Sequence, residues 1–207
     1  NRKLAALSRM LRYCYKRGYI DRIPIIERQR EPVGRLRWLS EEEEHQLLTL
    51  FGELERPAMK EYVTILIDTG ARCGELFKLR WKDIDFDRRL IRLNNTKNGG
   101  SRSVPMTNRV VQCFKNVRTH QQDRMWMFNQ NVFSKVWNKV RELMGMSLDP
   151  EFVPHMLRHT CASRLVQRGV ELSVVKEWLG HSSITTTMRY AHLSSKNLTD
   201  ACAVLEQ

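Results

Sequence analysis

Four short stretches of the chain set cationic, nucleophilic or proton-transferring side chains beside backbone that can turn sharply. In Thr69-Gly70-Ala71-Arg72-Cys73-Gly74-Glu75-Leu76, an arginine stands between two glycines where one helix gives way to another. Glycine lets the backbone turn tightly, a helix N-terminus favours anions, and a guanidinium offers paired donors to a phosphate. A plain Arg72–Glu75 ion pair at a helix start accounts for the same residues. In Thr96-Lys97-Asn98-Gly99-Gly100-Ser101-Arg102-Ser103-Val104-Pro105, Asn-Gly-Gly is a hairpin signal that puts Lys97 near the tip. Such a lysine is ordinarily solvated, yet a hairpin tip can also reach into a groove and bring an ammonium to a leaving oxygen.

The third stretch is Pro154-His155-Met156-Leu157-Arg158-His159-Thr160. Its two histidines and arginine fall at i, i+4 and i+3, so they share one face of a helix that Pro154 suits as a start. A zinc-protease helix would need Glu after the first histidine, where this chain has Met156, so acid–base and anion work fits better than metal binding. In the fourth, Leu179-Gly180-His181-Ser182-Ser183-Ile184-Thr185-Thr186-Thr187-Met188-Arg189-Tyr190, Gly180 closes one helix and Ser182 or Ser183 can cap the next. His181 then lies in a loop, with Tyr190 two turns further on. Taken alone, such a tyrosine is ordinarily a half-buried packing residue.

In this order the four stretches resemble the tyrosine recombinases, the family of phage integrases and Xer-type enzymes, over about residues 38–195. The resemblance implies a tyrosine recombinase catalytic domain fold and a set of roles. Tyr190 is the nucleophile, Arg72 and Arg158 clamp the non-bridging oxygens, and His181 adds a hydrogen bond to the same phosphate. His155 is the expected base, Lys97 the acid for the 5′-oxygen, and Glu75 and His159 support them. It implies strand cleavage and rejoining through a 3′-phosphotyrosine, with no metal and no cofactor. The implied partners are double-stranded DNA at a specific site, three further copies in a homo-tetramer, and accessory DNA-bending or directionality proteins, in a bacterial cytoplasm. A type IB topoisomerase-like enzyme, a telomere resolvase and an inactive DNA-binding relative use similar residues. Occupation of every expected position speaks against the last.

The pattern around these residues predicts α+β architecture, mainly α-helical with a small antiparallel sheet. Leu4, Leu7, Leu11 and Tyr15 predict an amphipathic helix over about 3–18 that stops at Gly18. The chain opens almost directly into it, so more protein is expected upstream. Residues 21–37, with Pro24, Pro32, Gly34 and many arginines, read as a basic linker. Ser40 and Glu43 form a capping-box pattern ahead of Leu47, Leu48 and Phe51. Helices are expected at about 59–68 and 74–81, then a β-meander over Ile84 to Val104. Further helices are expected at about 108–121, 131–144, 156–168, 171–179, 184–191 and 194–205. The resulting division is 1–38, the last helix of a core-binding domain with its linker; 39–193, the catalytic domain; and 194–207, a tail helix. That helix packs either on its own domain or on a neighbouring subunit.

Composition narrows the partners. No run of apolar residues is long enough to cross a membrane, and no apolar leader stands at the N-terminus. Cys14, Cys73, Cys113, Cys161 and Cys202 are odd in number and widely spaced, which suits reduced thiols better than a disulfide framework. The net charge of +12 calls for a polyanion. Residues 1–38 hold 11 Lys and Arg against 3 acids, whereas residues 39–207 hold 24 against 20. The first segment therefore reads as a phosphate-tracking arm. Removing it should weaken DNA affinity and flatten its dependence on salt by about 0.9 in log–log slope for each phosphate that the arm neutralises. Titrations of both forms over a salt series check this, and an unchanged slope contradicts the arm.

Overall fold

The computed structural model describes residues 2–27, 36–94, 100–118 and 125–194. The chain divides into two compact units, 1–35 and 36–207. In the first, α1 (Arg2–Lys16) forms where the apolar spacing predicted it, and Gly18 follows in the left-handed region at φ 72°. None of its described side chains is buried.

The second unit begins with an extended strap, residues 36–40, leading into α2 (Glu41–Glu53). The Ser40 hydroxyl accepts from the Glu43 N–H while the Glu43 carboxylate accepts from the Ser40 N–H, so the predicted capping box is formed. Next come α3 (Pro57–Thr69) and the short α4 (Cys73–Phe77). The helix expected over 74–81 thus stops early. Its continuation is broken by Asp83, whose carboxylate takes the Arg80 N–H and starts a separate 3₁₀ turn at Trp81–Asp83. A local side-chain bond of this kind competes with helical hydrogen bonding.

The meander is a three-stranded antiparallel sheet, β1 (Ile84–Asp85), β2 (Leu90–Asn94) and β3 (Ser101–Pro105), in that spatial order. Ile91 pairs with Val104 and Leu93 with Arg102, so these four side chains share the inward face. The hairpin tip that carries Lys97 lies outside the described residues, as does the tail helix expected from residue 195 on. Among the described residues the helices that follow are α5 (Asn108–Val117), α6 (Gln130–Leu143), α7 (His155–Gln167) and α8 (Leu172–Leu179). The last expected helix is split, into the single turn α9 (Ile184–Thr187) and a 3₁₀ turn over Met188–Leu193. Among the described residues no helix is long and apolar enough to cross a membrane.

Two apolar clusters make the interior. The larger is built on the aromatic rings of Phe51, Tyr62, Phe114, Phe133, Trp137 and Phe152. The smaller contains Ala162, Val166, Val175, Leu179 and Tyr190. α7 belongs to both, through Met156 and Leu157 on one side and Ala162 and Val166 on the other. A helix covered on most sides must satisfy its polar groups internally. Thr160 does so by donating to the Met156 carbonyl and accepting from the Leu39 N–H of the strap.

The α3–α4 junction is closed by Gly70 at φ 61°. A Cβ there would stand 2.7 Å from Cδ2 of Leu179 and 3.2 Å from Sγ of Cys161, both buried. Gly70→Ala should therefore cost about 1–3 kcal/mol through overpacking and a disfavoured backbone. Gly52→Ala, where nothing lies within 4 Å, should be neutral or slightly stabilising. Urea midpoints of the two variants check the contrast.

Candidate active site

The stretch from Thr69 to Leu76 lies where one helix ends and another begins, so several carbonyls lack helical partners. Four side chains from elsewhere fasten it. Trp178 Nε1 donates to the Thr69 carbonyl at 3.0 Å and Arg158 Nη1 to that of Gly70 at 2.7 Å. The Tyr62 hydroxyl donates to Cys73 at 2.8 Å and Trp126 Nε1 to Leu76 at 2.8 Å. This fixes the backbone that bears Arg72, whose own side chain stays 39% exposed and can meet a ligand.

Arg158 reaches further. Its Nη2 donates to the Leu179 carbonyl at 2.6 Å, at the end of α8. Gly180 closes that helix at φ 66°, and His181 follows at once. Arg72, Arg158 and His181 are therefore brought together, with Arg158 linking the backbones beside the other two. Burial, together with the nearby charges of Arg72 and Arg102, lowers the Arg158 pKa to about 10. It remains a cation at neutral pH. His181 Nδ1 is engaged by the buried Thr187 Oγ1 at 2.8 Å, which leaves Nε2 as the ring nitrogen for a substrate.

Glu75 is the acid of the cluster. It accepts from the Arg72 N–H at 2.9 Å and from Arg72 Nη1 at 2.7 Å, and also takes both Nη groups of Arg102. Burial raises its pKa, but the bonds from Arg102 and from the Arg72 backbone outweigh this and bring it to about 2. It is a carboxylate throughout the working pH range.

Tyr190 is only 1% exposed and packs in the smaller cluster. Its hydroxyl lies 2.6 Å from Nδ1 of His159, not on His155, the expected base. His155 instead meets the His159 ring edge to face at 4.9 Å. The physical reason is depth. His159 lies one turn further along α7, half-buried with its ring centroid 5.9 Å from that of Tyr190, whereas His155 stands exposed at the start of the helix. Burial is the main cause that raises the Tyr190 pKa and lowers that of His159 to about 3. The imidazole is neutral and able to accept.

Two contributors were not assigned a role from sequence. Thr187 gave no signal beyond its place in a run of threonines. Arg102 did give one, because period-two alternation puts it on the same face of β3 as the buried Val104, and an inward arginine needs a partner. Among the described residues no group of three His, Cys, Asp or Glu is placed to hold a metal ion. A cavity of about 550 Å³ opens elsewhere, lined by Glu44, Asp68, Arg109, Arg164 and Trp178 among others, and none of the described candidate catalytic side chains lines it. Four of its charged side chains pair among themselves, Arg109 with Glu44 and Asp68, and Arg164 with Glu44.

Comparisons with known proteins agree with this fold. A family model described as the phage integrase family matches residues 37–197. A tyrosine recombinase of Pseudothermotoga lettingae is 30% identical, covering 100% of this chain and 74% of its own length. The tyrosine recombinase XerA of Pyrococcus furiosus is 29% identical over 79% of this chain, which spans 59% of that relative's length. The catalytic domain of bacteriophage HP1 integrase superposes with a TM-score of 0.68 at 29% identity, over 82% of this chain and 95% of that one.

The buried imidazoles make stability depend on acid. His159 and His181 have folded pKa values of about 3 and about 4, below the ordinary 6.5. Between 6.5 and these values the unfolded chain binds more protons, so stability is fully present above 6.5 and is lost as the pH falls through that window. Thermal melts should show Tm falling steadily from pH 7 to pH 5. A flat profile would mean that these rings protonate in place without penalty.

Proposed function

This chain belongs to the phage integrase family, and we propose that it is the catalytic part of a site-specific recombinase acting on double-stranded DNA. The observation that carries the reading is the convergence of Arg72, His181 and Tyr190 from distant stretches on the buried Arg158 guanidinium, which is bonded to the Gly70 and Leu179 carbonyls and lies near enough to all three for their charges to interact. In the proposed reaction the Tyr190 oxygen attacks the scissile phosphorus. A tyrosyl–phosphorus bond forms, the bond to the 5′-oxygen breaks, and Lys97 gives that oxygen its proton. The 3′-phosphotyrosine keeps the bond energy, so a 5′-hydroxyl can later reverse the step without a nucleotide cofactor.

The fixed cations suit this chemistry. Arg72 and Arg158 present N–H groups to the non-bridging oxygens, where charge accumulates in the transition state. His181 Nε2 adds a third donor. The phenolic proton passes first to His159, which already holds the hydroxyl, with His155 next to it. An arriving phosphate offsets the neighbouring arginines and raises the proton affinity of these rings. Because Tyr190 is buried, the short Met188–Leu193 turn has to shift to present the hydroxyl to DNA. A recombination event needs four such exchanges, which supports a homo-tetramer on two DNA sites.

A nicked suicide substrate, which loses its 5′-fragment after cleavage, tests the reading. The parent chain should accumulate a covalent protein–DNA adduct, and Tyr190→Phe should form none while binding DNA almost normally. His159→Gln should slow adduct formation by about 100-fold or more, the usual cost of losing a general base, and by more than His155→Gln does. Normal adduct with Tyr190→Phe would refute the nucleophile. A larger loss with His155→Gln would return the base to that residue.

A further inference from the structure

We propose that Arg102 is a positioning residue of the phosphate site, a strut that aims Arg72 through Glu75 and holds the end of α8 beside His181. The inference rests on the recombinase reading above and adds a residue to it. Arg102 projects from the inward face of β3 and is 11% exposed, against 7% for its partner Glu75. Its Nη1 meets Glu75 Oε1 at 3.1 Å and its Nη2 meets Oε2 at 2.9 Å, a forked pair that fixes the plane of the carboxylate. Its Nε donates to the Trp178 carbonyl at 3.0 Å, next to the Leu179 carbonyl that receives Arg158. A lysine has no rigid fork and cannot span these acceptors in the same geometry.

The stem is placed as tightly as the head. A Cβ at Gly180 would stand 2.7 Å from Cδ of Arg102, so the arginine lies against the residue that precedes His181. Charge sets the division of labour. Were Glu75 paired with Arg72 alone, the two would neutralise each other and leave little field for a phosphate. With Arg102 taking both carboxylate oxygens, the cluster keeps an excess of positive charge, and Arg72 remains the more exposed of the two arginines. Arg102 holds the acid and Arg72 faces the ligand. Arg102 also lies close to Lys97 in sequence, so a competing role in guiding that lysine has to be separated.

The test uses the full chain, single-turnover adduct formation on the nicked substrate, and the variants Arg102→Lys and Arg102→Met. Arg102→Lys keeps the charge and the stem, which guards against loss of the fold, and thermal melts of both variants report any such loss. Both should bind site DNA nearly as the parent does yet cleave about 10- to 100-fold more slowly, the scale of a misaimed catalytic group. Replacing the bridging 5′-oxygen by sulfur removes the need for a proton donor and should not restore the rate. Combined with Arg72→Lys, the Arg102→Lys change should cost little more, since it acts through Arg72. Cleavage at the parent rate, losses that simply multiply in the double variant, or recovery on the sulfur substrate would each overturn the proposal, the last by assigning Arg102 to Lys97. A parent chain that forms no adduct on either substrate refutes the recombinase reading itself, and this role with it.

Discussion

The Arg158 guanidinium, 3% exposed, donates to the carbonyls of Gly70 and Leu179, each at the C-terminal end of a helix. α3 ends at Gly70 and α8 at Gly180, both glycines in the left-handed conformation. Helix C-termini carry unsatisfied carbonyls and partial negative charge, so a cation between two of them replaces much of the water it gave up. Desolvation still lowers its pKa to about 10, which leaves the charge intact at neutral pH. The residues just beyond the two closing glycines lead directly to Arg72 and His181. One buried charge thus sets the distance between the parts of the site that come from opposite ends of the domain.

Around that charge the electrostatics are unbalanced. Among the described residues Arg72 and Arg102 share the carboxylate of Glu75, held ionised with a pKa of about 2, while Arg158 feels that charge only at a distance. An unpaired excess of cations is costly in a folded protein, since like charges repel and desolvation is only partly repaid. Here the excess is what an anionic phosphate, with more charge developing on it during reaction, would balance. The histidines follow the same logic. Buried beside arginines they are held neutral, able to accept or share a proton, until an anion enters and changes the local field.

The nucleophile is held differently from the cations. Tyr190 is a core residue by packing, among Ala162, Val166, Val175 and Leu179, and a candidate catalytic residue by its hydroxyl. Its segment is a short six-residue 3₁₀ helix after a four-residue α-helix, with few backbone bonds to break. Weak local structure is the property expected of an element that has to move between a stored and a reacting position. α7 is the opposite, a helix buried on most sides and joined to both clusters. The rigid helix carries the candidate acid–base and phosphate-binding side chains, while the looser turn carries the candidate nucleophile.

What could be read from the sequence was whatever a few neighbouring residues decide among themselves. Ser40 and Glu43 cap α2, alternation builds β2 and β3, Gly180 ends α8, and His155, Arg158 and His159 share a face because helical spacing requires it. The types of the site residues were equally legible, since an arginine beside glycines or a histidine in a loop carries its chemistry with it. Asp83 was less so, because its bond to the Arg80 N–H competes with a helical pattern that otherwise continues. Only the tertiary structure decided which histidine meets Tyr190, because two rings one turn apart differ by what packs over them. It alone decided that Arg102 joins Glu75 to the end of α8, and that Arg158 ties Gly70 to Leu179. Those choices depend on distances between remote segments, and such distances are set by how α7 is buried between two cores, which no local pattern of residues encodes.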